Sequence, residues 1–156
     1  MILKLGDERL YQISEPVTDF NTAGLAEIEE KLHEAMFDFR AKYQVGRAIA
    51  APQIGIFMRI IYLNMGEPVL MINPELSNFS DETFELWDDC MSFPNLLVKV
   101  KRHKFCTLTY TNRKLEKITQ QLTDDVSELL QHEYDHLNGI LATMLAIDKF
   151  SFKWKD

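Results

Sequence analysis

The order of periodic segments along this chain predicts an α+β fold. A helical repeat of apolar residues occupies part of the first third, short strand-like segments occupy the middle, and a second helical segment follows near residue 124. No internal repeat, low-complexity block or linker rich in Gly, Ser or Pro divides the 156 residues. We therefore expect a single domain over residues 1–156.

Composition limits the classes of protein to which the chain can belong. Apolar residues make up 46% and charged residues 26%, with a formal net charge of −7, which excludes a disordered or fibrous chain. The acidic balance argues against direct nucleic-acid binding, because phosphate contacts need clustered Lys and Arg. No apolar run reaches membrane-spanning length and the first residues do not resemble a signal peptide. We expect a cytoplasmic protein without membrane contact, and the sequence does not specify an oligomeric state.

The first helix is predicted from Asn21 or Thr22 to about Tyr43. A polar residue at its start is typical of a helix cap, and acids in its first turns suit the helix dipole. Apolar residues recur along it at steps of three and four, which predicts one buried face: Leu25, Ile28, Leu32, Met36 and Phe39.

Three strands are predicted in the middle of the chain. Met58–Leu63 and Val69–Ile72 are short, apolar and rich in β-branched residues, and the segment between them contains Gly66 and Pro68. The third strand, Lys104–Tyr110, alternates with a period of two. Its apolar face is predicted to carry Cys106, Leu108 and Tyr110.

A second helix is predicted to begin after Thr123, with Asp124 and Asp125 in its first turn, and to end at Asn138–Gly139. Beyond it, Lys149–Lys155 alternates aromatic with polar or basic residues, which predicts a short strand. We favour an edge strand with solvated lysines over a segment that binds the ribosome or another partner.

The second helix contains the sequence His-Glu-x-x-His. Residues four apart lie on one helix face, so His132 and His136 can bind a single metal ion while Glu133 reaches a water at that ion. The alternative is two solvent-facing histidines near a helix C-terminus, where the helix dipole favours them.

A third metal ligand must come from upstream of the helix. No Glu or His follows His136, and Ala142 occupies the position at which an extended metalloprotease motif has its third His. Cys90 lies in a polar, turn-like segment and is our preferred ligand over Cys106 or an Asp, because Cys106 falls on the apolar face of a strand. Three protein ligands leave an open coordination position, which is typical of a catalytic site.

Three segments together resemble the motifs of the peptide deformylases. They are Gly46–Gly55 (GRAIAAPQIG), Asp88–Ser92 (DDCMS) and Gln131–His136 (QHEYDH), in the family's order and spacing. The resemblance extends to the opening residues 2–17, to residues 72–74 and to Arg102. It therefore covers nearly the whole chain.

The resemblance implies a fold, an activity and roles for particular residues. The fold is deformylase-like, with mixed or antiparallel strands around a central helix that carries the metal-binding motif. The activity is removal of the N-formyl group from the initiator methionine of new polypeptides, with Fe(II), or Zn(II), Ni(II) or Co(II) in its place. The implied metal ligands are Cys90, His132 and His136, the general base and acid is Glu133, and the oxyanion is stabilised by the Gln53 side chain and the Met91 backbone N–H.

The chain departs from the family pattern at four positions that we expect to contact substrate. Arg47 stands where the family has a small apolar residue near the methionine pocket, Ala48 replaces a glycine, Asp89 replaces the glycine before the ligand cysteine, and Glu128 stands where an arginine is usual. Arg47 paired with Asp89 or Glu128 would make the pocket polar, because a charge facing apolar groups needs a partner. Alternatively, Arg47 extends outward from the rim and leaves the pocket unaltered.

Two further functions remain open at this point. The same machinery can act on a different formylated compound or another small amide, or the chain can be a deformylase-like protein that binds metal without turnover. Glu133 argues against the second, because a protein that only binds metal does not need it. The expected partner is an N-formylated peptide or nascent chain, with transient ribosome contact.

Overall fold

Two α-helices pack against two antiparallel sheets in the computed structural model, which describes residues 1–156 and confirms the α+β prediction. The helices are α1 (Thr22–Tyr43) and α2 (Asp124–Leu137). The strands are β1 (Ala48–Ala50), β2 (Ile60–Asn64), β3 (Pro68–Ser77), β4 (Thr83–Asp88), β5 (Leu96–His103), β6 (Phe105–Thr111), β7 (Lys117–Thr123) and β8 (Phe152–Trp154).

The larger sheet has the strand order β1-β2-β3-β6-β7, and the smaller has the order β4-β5-β8. Every pair of neighbouring strands is antiparallel, and the only parallel pairing is an isolated bridge between Glu15 and Met58. Of the two strand arrangements that were expected, mixed and antiparallel, the structure has the antiparallel one. β1 and β7 are the edges of the larger sheet, so the strand that opens the first motif has one side free of strand partners.

The bounds of α1 are those predicted, because local signals determine them. The Asn21 side chain accepts hydrogen bonds from the backbone N–H groups of Ala23 and Gly24, and Gln44 ends the helix with a φ of 60°. Four of the five predicted apolar residues are fully buried, and Ile28 is partly buried. α1 thus covers one face of the larger sheet.

The three strands predicted in the middle of the chain have different bounds in the structure, and β6 is displaced by one residue from its prediction. β2 begins at Ile60, two residues later than predicted, and β3 continues through Pro74 to Ser77. A bulge between Ile72 and Glu75 accommodates the proline, and Asn73 adopts a φ of 50° there. The Asn73 side chain holds this conformation, because its Oδ1 accepts from the Val17 backbone N–H and its Nδ2 donates to the Val17 carbonyl.

α2 lies between the two sheets and occupies the centre of the fold. Its apolar residues Leu129, Leu130 and Leu137 pack against β1, β2, β3 and β6. The predicted face of β6 forms part of the same cluster, where Cys106 and Leu108 are buried. His132 and His136 of α2 are therefore buried in the interior of the fold.

The C-terminal segment forms the predicted short strand at a sheet edge. β8 pairs with β5 through Leu96, Leu97 and Val98. Its lysines are not simply solvated: the Lys153 ammonium lies 4.2 Å from the Trp87 ring centroid, and Lys155 is paired with Asp89 at 3.0 Å. Neither helix has the length and apolar character needed to cross a membrane.

Gly139, directly after α2, is expected to tolerate no side chain. Its φ is +71°, and a Cβ there would overlap the Tyr11 carbonyl oxygen and lie 2.7 Å from the carbonyl carbon. We expect Gly139→Ala to lower the free energy of unfolding by about 2–4 kcal/mol. Gly55, at φ +80° with no atom within 4 Å of such a Cβ, is the matched control and is expected to lose only about 1 kcal/mol. Urea denaturation measures both, and equal losses would show that the contact with Tyr11 is unimportant.

Candidate metal centre

Three separate parts of the chain meet at one buried point. α2 carries His132, Glu133 and His136, Cys90 follows directly after β4, and Gln53 lies in a single 3-10 turn, Ala51–Ile54, that follows β1. All five side chains are at least 90% buried. The alternative interpretation, two solvent-facing histidines near a helix C-terminus, is therefore excluded.

The candidate ligand atoms of Cys90, His132 and His136 all lie within 4.8 Å of one another. Cys90 Sγ is 3.3 Å from His136 Nε2. A thiolate and two imidazoles are donors that bind zinc and other divalent transition metals well, and this clustering fits one such ion. Cys106, the alternative ligand, hydrogen-bonds Ser127 instead and lies in the core.

His132 is oriented by a buried carboxylate. Its Nδ1 lies 2.7 Å from Asp88 Oδ2, which leaves Nε2 free to face Cys90. Burial alone would raise the pKa of Asp88, but His132 and Arg102 beside it lower that pKa, so the carboxylate stays ionised. Arg102, itself 4% exposed, donates to Asp88 at 3.3 Å and to Asp135 at 2.6 Å. These contacts form a line of alternating charge behind the metal-binding side chains.

Arg102 is expected to stabilise both the fold and the orientation of His132, because it joins Asp88 to Asp135. Arg102→Met leaves the buried Asp88 and the half-buried Asp135 without their cation, so we expect a loss of about 3–5 kcal/mol of folding stability. Metal affinity is expected to fall about 10- to 100-fold, because the orientation of His132 is lost. Denaturation and metal titration measure these effects. Lys104→Met, which breaks an exposed pair with Glu82, is the control and should stay within about 0.5 kcal/mol; a similarly small change in Arg102→Met would contradict the assignment.

The Glu133 carboxylate lies beside these side chains and has a buried oxygen without a partner. It is 4% exposed, and its Oε1 has no hydrogen-bond partner in the protein. Burial raises the pKa of Glu133 to about 7, against the smaller lowering effect of His132. The carboxylate also lines the main cavity of the molecule. Glu133 is therefore placed to accept hydrogen bonds from a molecule in that cavity.

Two hydrogen-bond donors belong to residues at the same point, the Gln53 side chain and the Met91 backbone. The Gln53 Oε1 accepts from the Ala50 backbone N–H at 2.9 Å, which directs Nε2 toward Cys90 Sγ at 3.6 Å and Ser92 Oγ at 3.1 Å. The Met91 carbonyl accepts from Lys4 Nζ at 3.1 Å, while its backbone N–H donates to no protein group. Both predicted oxyanion donors thus lie next to the ligand cysteine.

A cavity of about 500 Å³ opens onto these groups. Arg47, Ala48 and Asp89, three of the residues predicted to contact substrate, line it. Glu128, the fourth, does not line the cavity and reaches it only through Arg47, with Arg47 Nη2 3.1 Å from Glu128 Oε1. Of the two partners considered for Arg47, the structure has Glu128, and Asp89 pairs with Lys155 instead.

Sequence reasoning did not identify the C-terminal segment as part of this cavity. Lys155 and Asp156, from the segment after β8, line it together with Asn95. The Lys155 backbone N–H donates to the Asn95 carbonyl at 2.8 Å, which holds the segment there. Only the alternation that predicts β8 pointed to this segment, and nothing local indicates which strand it pairs with.

The fold and the site are those of a mononuclear metallohydrolase: three buried candidate ligands lie beside an open cavity, with a glutamate next to them. The family model described as polypeptide deformylase matches residues 1–150. The peptide deformylase of Thermotoga maritima is 35% identical over 137 residues, which is 87% of this chain and 80% of that one. That of Carboxydothermus hydrogenoformans is 33% identical over 141 residues, 90% and 88% of the two chains. The crystal structure of the Thermotoga maritima peptide deformylase superposes with a TM-score of 0.86 at 32% identity, covering 95% of this chain and 97% of that chain.

The chain belongs to the polypeptide deformylase family. The predicted family, its fold and its class of activity are confirmed: the protein is an enzyme, a metallohydrolase with deformylase function.

Proposed function

We propose that this enzyme removes the formyl group from the N-terminal methionine of newly made polypeptides. The observation that carries the proposal is the placement of Glu133, with an uncommitted oxygen, beside the buried cluster of Cys90, His132 and His136 at the end of an open cavity. The reaction adds water across the formyl C–N bond and releases formate and a free amine.

Cys90, His132 and His136 hold the metal in this proposal. The ion is Fe(II) in the cell, and Zn(II), Ni(II) or Co(II) can take its place, since a thiolate with two imidazoles suits all of them. When bound, the cation supplies the Lewis acidity that polarises the formyl carbonyl and lowers the pKa of water.

Glu133 moves the proton. Its carboxylate takes a proton from the attacking water and delivers it to the amine nitrogen as the C–N bond breaks. Negative charge develops on the formyl oxygen during attack, and the donors in reach of it are the Gln53 side-chain amide and the Met91 backbone N–H.

The peptide substrate lies along the free edge of β1. The Asn64 N–H donates to the Arg47 carbonyl, so Arg47 and Ile49 direct their backbone groups toward β2, and the alternation of an antiparallel pair directs those of Ala48 away from it. Ala48 lines the cavity, so its N–H and C=O are available to an extended peptide that adds to the sheet. Action on a nascent chain places the enzyme in the cytoplasm with transient contact to the ribosome.

The test is a substrate panel with protein loaded under anaerobic conditions with Fe(II), and separately with Zn(II), Ni(II) or Co(II). We expect formate release from formyl-Met-Ala-Ser, and loss of activity in air for the Fe(II) form because Cys90 oxidises. Faster turnover of a small formylated amide than of the peptide would point to the alternative substrate class. Metal-loaded protein without turnover of any formyl compound would contradict the proposal.

A further inference from the structure

An ion pair crosses from the larger sheet to α2 beside the reaction centre. Arg47 immediately precedes β1, and Glu128 lies one helical turn before His132 on α2. Their 3.1 Å contact therefore joins the strand along which the proposed peptide lies to the helix that carries Glu133. A substrate side chain that enters the cavity between that strand and that helix meets Arg47, which lines the cavity, with Glu128 behind it.

The Arg47 guanidinium has most of its hydrogen-bonding capacity unused. Of its five N–H groups, only one on Nη2 donates to a protein acceptor, and that acceptor is Glu128 Oε1. The Arg47 side chain is 41% exposed and lines the cavity, whereas the Glu128 side chain is 8% exposed. Glu128 thus holds the guanidinium in place while four donors remain available in the cavity.

A purely apolar side chain matches this surface poorly. Packing an alkyl chain over the guanidinium displaces water from donors that then have no acceptor, and this cost cancels part of the gain from apolar burial. An oxygen acceptor at the end of the side chain removes the cost, while its methylene groups can still pack on Leu129, Tyr43 and Val45, which line the same cavity.

The acceptor should be neutral. Glu128 already balances the charge of Arg47, and Asp89 pairs with Lys155, the other basic side chain that lines the cavity. A carboxylate on the substrate side chain would therefore lie near the Glu128 carboxylate without a basic side chain of its own, whereas an amide or sulfoxide oxygen carries no charge.

We propose that the subsite for the side chain of the formylated residue, besides accepting methionine, favours a neutral chain of that length with a hydrogen-bond acceptor oxygen, as in glutamine or oxidised methionine, over a purely alkyl chain. This rests on the proposed function. Arg47 is the residue that determines the specificity, and Glu128 positions it.

The test compares formyl-X-Ala-Ser peptides in which X is Gln, methionine sulfoxide, Met, norleucine, Glu or Gly. For the unmodified enzyme we expect kcat/KM for Gln and the sulfoxide to exceed that for norleucine by about tenfold, the effect of one hydrogen bond to a charged donor. Most of the difference should lie in KM. In the Arg47→Leu/Glu128→Leu double variant, which replaces the pair without leaving a buried charge alone, the order should reverse in favour of norleucine.

Two controls separate the inference from other effects. Formyl-Gly-Ala-Ser has no side chain to recognise, so dividing each kcat/KM by that of the Gly peptide in the same protein removes any general effect of the double substitution on catalysis. Arg113→Leu removes an arginine that pairs with Glu29 outside the cavity, and it should leave the order of substrates unchanged. Ratios between substrates within one protein cancel the fraction that is correctly folded.

The outcomes also separate this inference from the proposed function. If no formyl peptide is hydrolysed, the proposed function fails. If formyl peptides are hydrolysed but norleucine or Glu equals or exceeds Gln in the unmodified enzyme, or the double variant keeps the original order, the inference is wrong and the proposed function stands.

Discussion

Replacing Glu133 by Gln is expected to lower kcat by roughly 100- to 10,000-fold, the range attributed to a positioned general acid and base. The amide keeps the size of the side chain but cannot take a proton from water or return one to the amine. Glu133 contributes no ligand atom to the cluster of Cys90, His132 and His136, so metal content should stay at one ion per chain. Formate release and metal analysis of the same preparation measure the two quantities.

The matched control is Asp125→Asn, which removes an exposed carboxylate from the first turn of the same helix. Its kcat and metal content are expected to match those of the unmodified enzyme. If Glu133→Gln kept more than about a tenth of the activity with its metal bound, another group would have to move the proton. If Glu133→Gln lost its metal, Glu133 would be needed to hold the ion. The assignment of Glu133 as a proton-transfer group that is not a ligand would then be contradicted.

Elements whose signals are local were predictable nearly to the residue. The period of α1 and its cap at Asn21 are properties of consecutive residues, and the structure reproduces them. β4 and β5 were not predicted, because charged residues interrupt their apolar residues and some of the charged residues are buried. Arg102, for example, is buried within β5 and is stable there only through Asp88 and Asp135, which come from β4 and α2.

The extension of β3 also depends on a distant part of the chain. A proline usually ends a strand, yet Pro74 lies within β3 because Asn73 forms a bulge that Val17 stabilises. Residues separated by 56 positions in sequence make that contact. A pattern read over a short window cannot contain it.

The same division applies to the site. The spacing of His132 and His136 is a local signal, and elimination of downstream ligands led to Cys90. The orientation of His132 by Asp88 joins residues 44 positions apart and was not predicted. The family resemblance and charge reduced the partner of Arg47 to two candidates, and only the packing of α2 against β1 distinguishes Glu128 from Asp89.

The two cysteines differ enough in environment to test the metal assignment directly. Cys90 Sγ accepts from Gln53 Nε2 and the Ser92 backbone N–H and faces His136, whereas Cys106 contacts only the Ser127 hydroxyl. Burial raises the pKa of the Cys106 thiol, which keeps it protonated, and a metal ligand must be the thiolate. The sulfur of Cys90 therefore has the surroundings of a ligand and that of Cys106 the surroundings of a core side chain.

Cys90→Ala is expected to reduce bound metal from one ion per chain to below about a tenth, and activity by about a hundredfold or more, because two imidazoles alone hold a divalent ion weakly. Cys106→Ala is expected to keep its metal and its kcat and to lose about 1 kcal/mol of stability from the cavity left in the core. Metal analysis after dialysis, formate release and urea denaturation measure the three quantities for both variants. If Cys106→Ala lost the metal while Cys90→Ala kept it, the ligand would come from the core face of β6. α2 would then have to rotate so that its histidines, and not Leu130, face the apolar cluster around Cys106.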